Sequence, residues 1–374
     1  MSLAHPGPRL VRRGDEAGSS GVRLLEHAGD VDAVQWAGLA SSPFDSRAWF
    51  LAMEDYFRGA RFRYFCAFDG PRLVAILPVY DRVLPGSPAV LSRLIPSTDP
   101  RIRRLTGRIF RAARPSLLVA GSPYALVSDV IGNAAAAPAL HSAVKDYARS
   151  AGVDFVAVPQ ASAEPPLEGA VAGPGTSRFV LDLPGRSVED YIAAQKSKYR
   201  SGRRREFSGL ACTRSTLAGH ERVLADLRNV TARRHRNDNR LPPGFYGAIS
   251  RHMGDSARVL LVGERDAWRG AALYFAGFET VHAFQIGVRQ ADGSYFRLMA
   301  ETIRVGYELG ARNIDFGPNA AGLKLKRGCH RVGTTFSCAP VSARSRWLLQ
   351  IGRQLGRLDR HASATAGTRL APSA

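Results

Sequence analysis

The sequence predicts an α/β fold in two domains, and three observations predict it. Helical and extended segments alternate along the chain, an Asp69-Gly70-Pro71 turn joins two apolar runs into a hairpin, and 374 residues exceed the roughly 150 of a typical domain. In the first half, residues 44–69 read as a helix around Trp49, Leu51, Met53 and Tyr56, followed by a strand at Tyr64–Phe68. Leu73–Tyr80 resumes as the second arm of the hairpin. Residues 134–152 form a helix that stops at Gly152 and feeds a strand at Asp154–Pro159.

The stretch that follows (QASAEPPLEGAVAGPGT) has Pro, Gly and small residues without period, and reads as the connection between domains. Beyond it come a strand at Arg178–Leu183 and a helix from Ser187, the start of a capping box, through Tyr191 to about Phe207. A helix over 219–236, strands at Arg258–Gly263, Ala271–Phe278 and Thr280–Val288, a helix over 295–309 and a strand at Ile314–Gly317 complete this half. The boundaries are a disordered leader over 1–21, domains over 22–160 and 177–345, a linker over 161–176, and a C-terminal helix with a disordered tail over 346–374.

With 45% apolar and 22% charged residues the chain can fill a core, which excludes a wholly disordered or collagen-like protein. No apolar run reaches the roughly 18 residues of a membrane helix. The leader lacks the apolar segment of a secretion signal, so a cytoplasmic protein is expected. Cys66, Cys212, Cys329 and Cys338 form no C-x-x-C pair, which points to inert thiols and to no metal site.

Charge is the unusual quantity. The chain carries 52 basic and 32 acidic residues, a formal +20, and only five of the basic residues are lysine. Arginine suits bidentate contact with phosphate, so a polyanionic partner is expected. The basic residues cluster. Lys196, Lys198, Arg200, Arg203, Arg204 and Arg205 lie on one predicted helix with only Glu206 to offset them. Arg101, Arg104, Arg108 and Arg111 recur at three- and four-residue steps and form one stripe of another. Arg228, Arg233, Arg234, Arg236 and Arg240 make a third group, with Asp226 and Asp238 near enough for ordinary ion pairs.

Gln290 to Tyr295 (QADGSY) lies between a strand and a helix, where free backbone N–H groups can cradle a phosphate. It matches most of the Q-x-x-G-x-G/A loop with which GNAT acyltransferases hold a coenzyme pyrophosphate, with Tyr295 in place of the last small residue. The run from Val281 to Ser337 resembles the catalytic half of GNAT-superfamily proteins related to Fem-type aminoacyltransferases and peptidoglycan-type N-acyltransferases. The likeness rests on Tyr295-Phe296 opening a helix, Gly317 and Gly322 after a strand, Lys324, Arg327 and Gly328 as a K-x-x-R-G element, and Ser337 in the next strand. It extends loosely to residues 45–340. The resemblance implies two tandem GNAT-like domains, each a mixed, mostly antiparallel sheet flanked by helices.

It also implies an amide-forming transferase that moves an aminoacyl group from aminoacyl-tRNA to an amine of a small or peptide-like acceptor, with no resident cofactor. The alternative is an acyl-CoA-dependent GNAT N-acyltransferase, and a catalytically inactive nucleic-acid-binding protein is a third reading. Lys324 and Arg327 are expected to steady the oxyanion or donor phosphates, and Asp315 to act as base or amine-orienting carboxylate. Gln290, Gly293, Ser294 and Tyr295 are the expected donor-binding residues. Asp99 and Asp129 are candidates for the acceptor amine, Glu301 is read as facing solvent, and His282 and His330 as packing or surface histidines.

Overall fold

The computed structural model describes residues 21–83, 100–125, 127, 130–161, 167, 169–235, 240–265, 267–290, 292–351 and 354. Asp99, Asp129, Arg236, Asp238 and nearly all of the expected leader and tail lie outside them. In chain order the elements are β1 (Gly21–Leu25), α1 (Ala33–Ala37), α2 (Arg47–Tyr56), β2 (Phe62–Asp69), β3 (Arg72–Val83), α3 (Pro100–Ala113), β4 (Ser116–Ala120), β5 (Ile131–Gly132), α4 (Ala137–Ser150), β6 (Phe155–Ala161), β7 (Val171–Pro174) and β8 (Arg178–Asp182). Then follow α5 (Val188–Ala194), α6 (Ser197–Ser208), β9 (Cys212–Thr216), α7 (Glu221–Arg234), α8 (Pro243–Met253), β10 (Ala257–Glu264), β11 (Ala267–Phe275), β12 (Thr280–Val288), α9 (Ser294–Glu308), β13 (Asn313–Asp315), α10 (Ala321–Leu325), β14 (His330–Val332) and β15 (Thr335–Pro340). No described helix is long and apolar enough to cross a membrane.

The described residues form two compact units. The first takes those up to Leu39, Gly59–Gly175 and those from Thr334 onward; the second takes Ala40–Arg58 and Thr176–Gly333. The first unit is a sheet in the order β1-β2-β3-β4-β6-β15-β7, with β5 on β3, and its one parallel pair is β4 with β6. The hairpin turn has Gly70 at φ +58°, a conformation that glycine adopts without strain. Leu77, Leu118, Leu140, Val144 and Val156 are among the residues that pack the core between this sheet and α4.

The second unit is a sheet in the order β14-β8-β13-β12-β11-β10-β9, again with one parallel pair, β12 with β13. The helix α9 makes the crossover between them, and Leu298, Met299 and Ile303 on it are buried against Leu260, Ala272 and Ile314. On the other side α7 lies close enough to β12 that a Cβ on Gly287 would sit 2.3 Å from the backbone nitrogen of Arg228.

Four expectations are corrected. Residues 40–58 belong to the second unit, not the first, because Phe44 and Trp49 pack their rings on Phe275 and Phe284 at centroid distances of 5.3–5.8 Å. The expected linker contains a strand: β7 pairs with β15 at the edge of the first sheet. The strand carrying Ser337 leaves the second half and inserts between β6 and β7, where Phe336, Cys338 and Ala339 find apolar cover. The single helix from Ser187 to Phe207 is two, since Gln195 and Lys196 take extended ψ values of 151° and 138°. The Ser187 cap forms, its Oγ accepting from the Asp190 N–H at 3.1 Å, while the Asp190 carboxylate reaches back one residue further than a capping box, to the Arg186 N–H at 2.8 Å.

Glu301 is also corrected, for it is buried on α9 rather than solvated. Three guanidinium groups surround it: Arg214 at 2.5 Å, Arg297 at 2.7 Å and Arg304 at 2.5 Å. Burial pushes its carboxyl up, but the hydrogen bonds and charges of these arginines prevail and hold it below its ordinary 4.5. A depressed carboxylate stabilises the fold above its unfolded value, and that contribution is lost as the pH falls through the folded value. Glu301→Gln is therefore expected to lower the unfolding free energy by about 3 kcal/mol in urea at pH 7, by leaving buried arginine charge uncompensated. The same variant is expected to flatten the acid limb of the stability profile; an unchanged limb would assign that limb to other carboxylates.

Candidate active site

The site is built where the two parallel strands part. The ladder between β12 and β13 has three pairs, Thr280 with Asn313, Val281 with Ile314 and His282 with Asp315, after which β12 continues to Val288 while β13 ends. The last pair is also the charged one. Asp315 is buried, accepts a 2.8 Å bond from Arg178 on the neighbouring β8 and accepts the Gly317 N–H at 2.8 Å. His282 is buried beside it, with Nδ1 3.9 Å from the Asp315 carboxylate and the Phe44 ring at 5.4 Å.

Burial pushes the imidazole down to about 4, against the pull of Asp315 and with some help from Arg178, so the ring is neutral at pH 7. Both ring nitrogens are without a hydrogen-bond partner among the described residues. The ring therefore packs edge-on to Phe44 while leaving both nitrogens unpartnered, a state that costs about 1–3 kcal/mol. Its reading as a packing or surface histidine holds for His330, which is half exposed and 3.3 Å from Asp182, but misses this feature of His282.

The turn after β13 returns a cation to the same end of the strand. Gly317 at φ +70° and Ala320 at φ +58° reverse the chain, and α10 then carries Lys324 into the interior. The Lys324 ammonium donates to the Phe316 carbonyl and, at 2.9 Å, to the Gly317 carbonyl, so two of its three N–H groups are committed. Burial pushes it down to about 8.

Arg327 takes another direction. It lies over the Phe296 ring at 4.3 Å and binds Glu206 at 2.6 Å and the Leu323 carbonyl at 3.1 Å. Glu206 also holds Arg203 at 2.6 Å, while Tyr191 Oη and Arg203 donate to the Arg327 and Lys326 carbonyls at 3.2 and 3.3 Å. Arg327 and Arg203 thus clamp the Lys324 turn onto α6. Lys324 and Asp315 share the fork, and Arg327 stands behind it.

The loop before α9 is occupied by its own carboxylate. Gly293 takes φ +89°, Ser294 is fully buried, and Asp292 accepts both the Ser294 N–H at 3.1 Å and the Ser294 hydroxyl at 2.6 Å. Burial raises the Asp292 carboxyl, but these bonds outweigh it and the group is held below the usual carboxylate value. Tyr295 packs against the core and Gln290 is exposed.

Of the basic residues, Lys196, Lys198, Arg200, Arg204 and Arg205 on and before α6 are exposed, and so are Arg101, Arg104, Arg108 and Arg111 on α3. Arg203 is buried, and Arg228 of the third group is buried with Nε 3.3 Å from Gln285. Sequence reasoning also missed Arg178, which shows only as the first residue of a strand.

No family model and no curated protein matches the sequence. Among solved structures, FemX is similar with a TM-score of 0.58 at 9% identity, over 84% of this chain and 96% of that one. L-PGS from Bacillus licheniformis is similar with a TM-score of 0.52 at 12% identity, over 86% of this chain and 95% of that one. With two mixed sheets, each built around a single parallel pair and a crossover helix, the chain shares the fold of these two structures.

Proposed function

We propose that the second unit is the catalytic half of an N-acyltransferase that takes an aminoacyl group from aminoacyl-tRNA and makes an amide on a small or peptide-like amine. The observation that carries this reading is the fork itself: a buried ammonium with one uncommitted N–H, a buried neutral imidazole with two open nitrogens, and beside that imidazole a carboxylate fixed by Arg178. Acyl transfer needs these groups. The acceptor nitrogen attacks the ester carbonyl, the carbon–nitrogen bond forms, an oxyanion develops, and the ribose oxygen departs as the carbon–oxygen bond breaks.

In this reading the third N–H of Lys324 receives the oxyanion, in a dry site where one donor contributes strongly. His282 offers a ring nitrogen that aligns the acceptor amine and takes its proton, and Asp315 stabilises the imidazolium so formed. The departing ribose oxygen takes the proton back. Arg327 acts through the turn, by holding Lys324 in place. Residues 281–337 resemble Fem-type transferases, and the names of the similar structures are of a piece with that resemblance.

An RNA donor is favoured over acyl-CoA by the loop before α9. The N–H of Ser294, and the site a pyrophosphate would take beside it, are held by Asp292, whose negative charge opposes a second anion. The exposed guanidinium stripe of α3 and the exposed Lys196, Lys198 and Arg205 supply the phosphate contacts instead. Arg200 and Arg204 line a pocket.

Charged tRNA and an amine acceptor are expected to give an amide that RNase abolishes. Product that survives RNase and requires acyl-CoA would overturn the donor assignment. Replacing Arg108 and Arg111 together by Ala is expected to weaken tRNA binding and reduce the slope of log K against log salt by about 1.5–2, read by gel shift across a salt series.

The ammonium form of Lys324 is the active one, so kcat is expected to fall as the pH rises through about 8. Lys324→Met should lose about 100- to 1,000-fold in kcat, and Lys324→Arg should retain more activity and no alkaline limb near that pH. An alkaline limb that persists in Lys324→Arg would belong to another group.

A further inference from the structure

A pocket of about 580 Å3 opens in the second unit, walled by α5, α6 and Arg304 of α9. It lies on the neighbouring face of α6, about a quarter turn from the Arg327 clamp. Arg203 and Glu206 face the clamp, whereas Arg200, Arg204 and Phe207, spaced four and three residues apart, line the pocket.

The arginines are prepared for a ligand. Arg200 Nε is fixed on the Gln195 carbonyl at 3.0 Å, and Arg304 is fixed by Glu301 at 2.5 Å and the Phe207 carbonyl at 3.3 Å, with its guanidinium 5.4 Å from the Phe207 ring centroid. Arg204 is exposed and has no side-chain partner among the described residues. Glu189 is the one acidic residue of the wall; Arg304 is shared with the buried Glu301, and Arg200 and Arg204 leave the wall net positive. Val188, Ile192 and Ala193 of α5, with Phe207, make the apolar part of the wall, and Ser208 adds a hydroxyl.

The volume lies in the range of about 300–1,000 Å3 that holds small organic ligands and is far more than inorganic phosphate needs. The surplus of guanidinium groups asks for a dianion, in the forked geometry that phosphate accepts. The apolar wall asks for an organic body beside that anion. We propose that this pocket binds a small organic phosphate, its phosphate on Arg200, Arg204 and Arg304 and its body against Val188, Ile192 and Phe207. The inference stands on the pocket alone and does not require the acyl-transfer reading.

Isothermal titration of the full chain with adenosine monophosphate, hexyl phosphate and inorganic phosphate tests it. At least one of the two organic phosphates is expected to bind ten-fold or more tighter than inorganic phosphate, and whichever binds better identifies an aromatic or an aliphatic body. Arg204→Ala is expected to weaken that binding ten-fold or more, with an unchanged melting temperature because the residue is exposed. Arg222→Ala, exposed on α7 and outside the pocket, is the control that should leave it unaltered. Equal affinity for inorganic phosphate, no binding of either organic phosphate, or binding indifferent to Arg204→Ala would each overturn the proposal. If Arg204→Ala weakens tRNA binding while neither organic phosphate binds, the pocket is part of an RNA contact and the proposal also fails.

Discussion

The short parallel ladder between β12 and β13 governs the rest of the second unit. Parallel strands cannot be joined by a tight turn, so α9 must cross between them, and its position is then decided by what it buries. One face of α9 packs Leu298, Met299 and Ile303 into the core, and Glu301 draws three arginines onto it. With the helix fixed, β12 and β13 meet for only three residue pairs and then separate. The separation is what places a histidine and an aspartate side by side at the end of the paired region, with Lys324 returning to the same end through a turn that includes a left-handed alanine. Backbone strain of that kind is retained where the surrounding contacts enforce it, and here the enforcing contacts are Arg327 and Arg203 against Glu206.

Excess positive charge in this chain serves two separable purposes. Part of it is consumed internally: Arg203 and Arg327 share Glu206, Arg178 holds Asp315, and Arg214, Arg297 and Arg304 enclose Glu301. These are buried or half-buried ion pairs whose loss would destabilise the fold, and of their arginines only Arg304 also lines the pocket beside α5 and α6. Another part, on α3 and the outer face of α6, is exposed to solvent. A composition alone cannot divide the two. Arg203 and Arg204 are adjacent in sequence, yet one is a structural clamp and the other lines an open pocket, because a helix turns by about 100° per residue.

Local signals in the sequence were legible where the chain makes local structure. The hairpin at Gly70, the cap at Ser187, the strand over 280–288 and the helix after Gly293 are all set by turn chemistry and periodicity within a few residues. What was not legible depends on pairing across the chain. The strand carrying Ser337 follows the K-x-x-R-G turn in sequence but completes the first sheet, since its partners β6 and β7 lie more than 150 residues earlier. Phe44 and Trp49 likewise give no sequence sign that they pack on Phe275. At the site, Lys324 and Asp315 were visible as charges in a glycine-rich turn and at a strand end. His282 was not, because its significance comes from facing Asp315 in register and from lacking a partner.

The two sheets share a plan, and their difference locates the chemistry. Each has a central parallel pair of three residue pairs joined across a helix, β4 with β6 through α4 and β12 with β13 through α9. In the first sheet the paired residues are Leu117 with Phe155, Leu118 with Val156 and Val119 with Ala157, all buried and apolar, so nothing in that ladder can bind or move a proton. In the second, the final pair is His282 with Asp315. A buried histidine and aspartate weaken a core unless they are satisfied, and an apolar pair of similar size would hold the strands at least as well, as the first sheet demonstrates. The same architecture therefore supplies its own control: the first ladder is hydrocarbon throughout, whereas the second opens on a half-buried Thr280–Asn313 hydrogen bond and ends on the buried His282–Asp315 pair, beside the turn that carries Lys324.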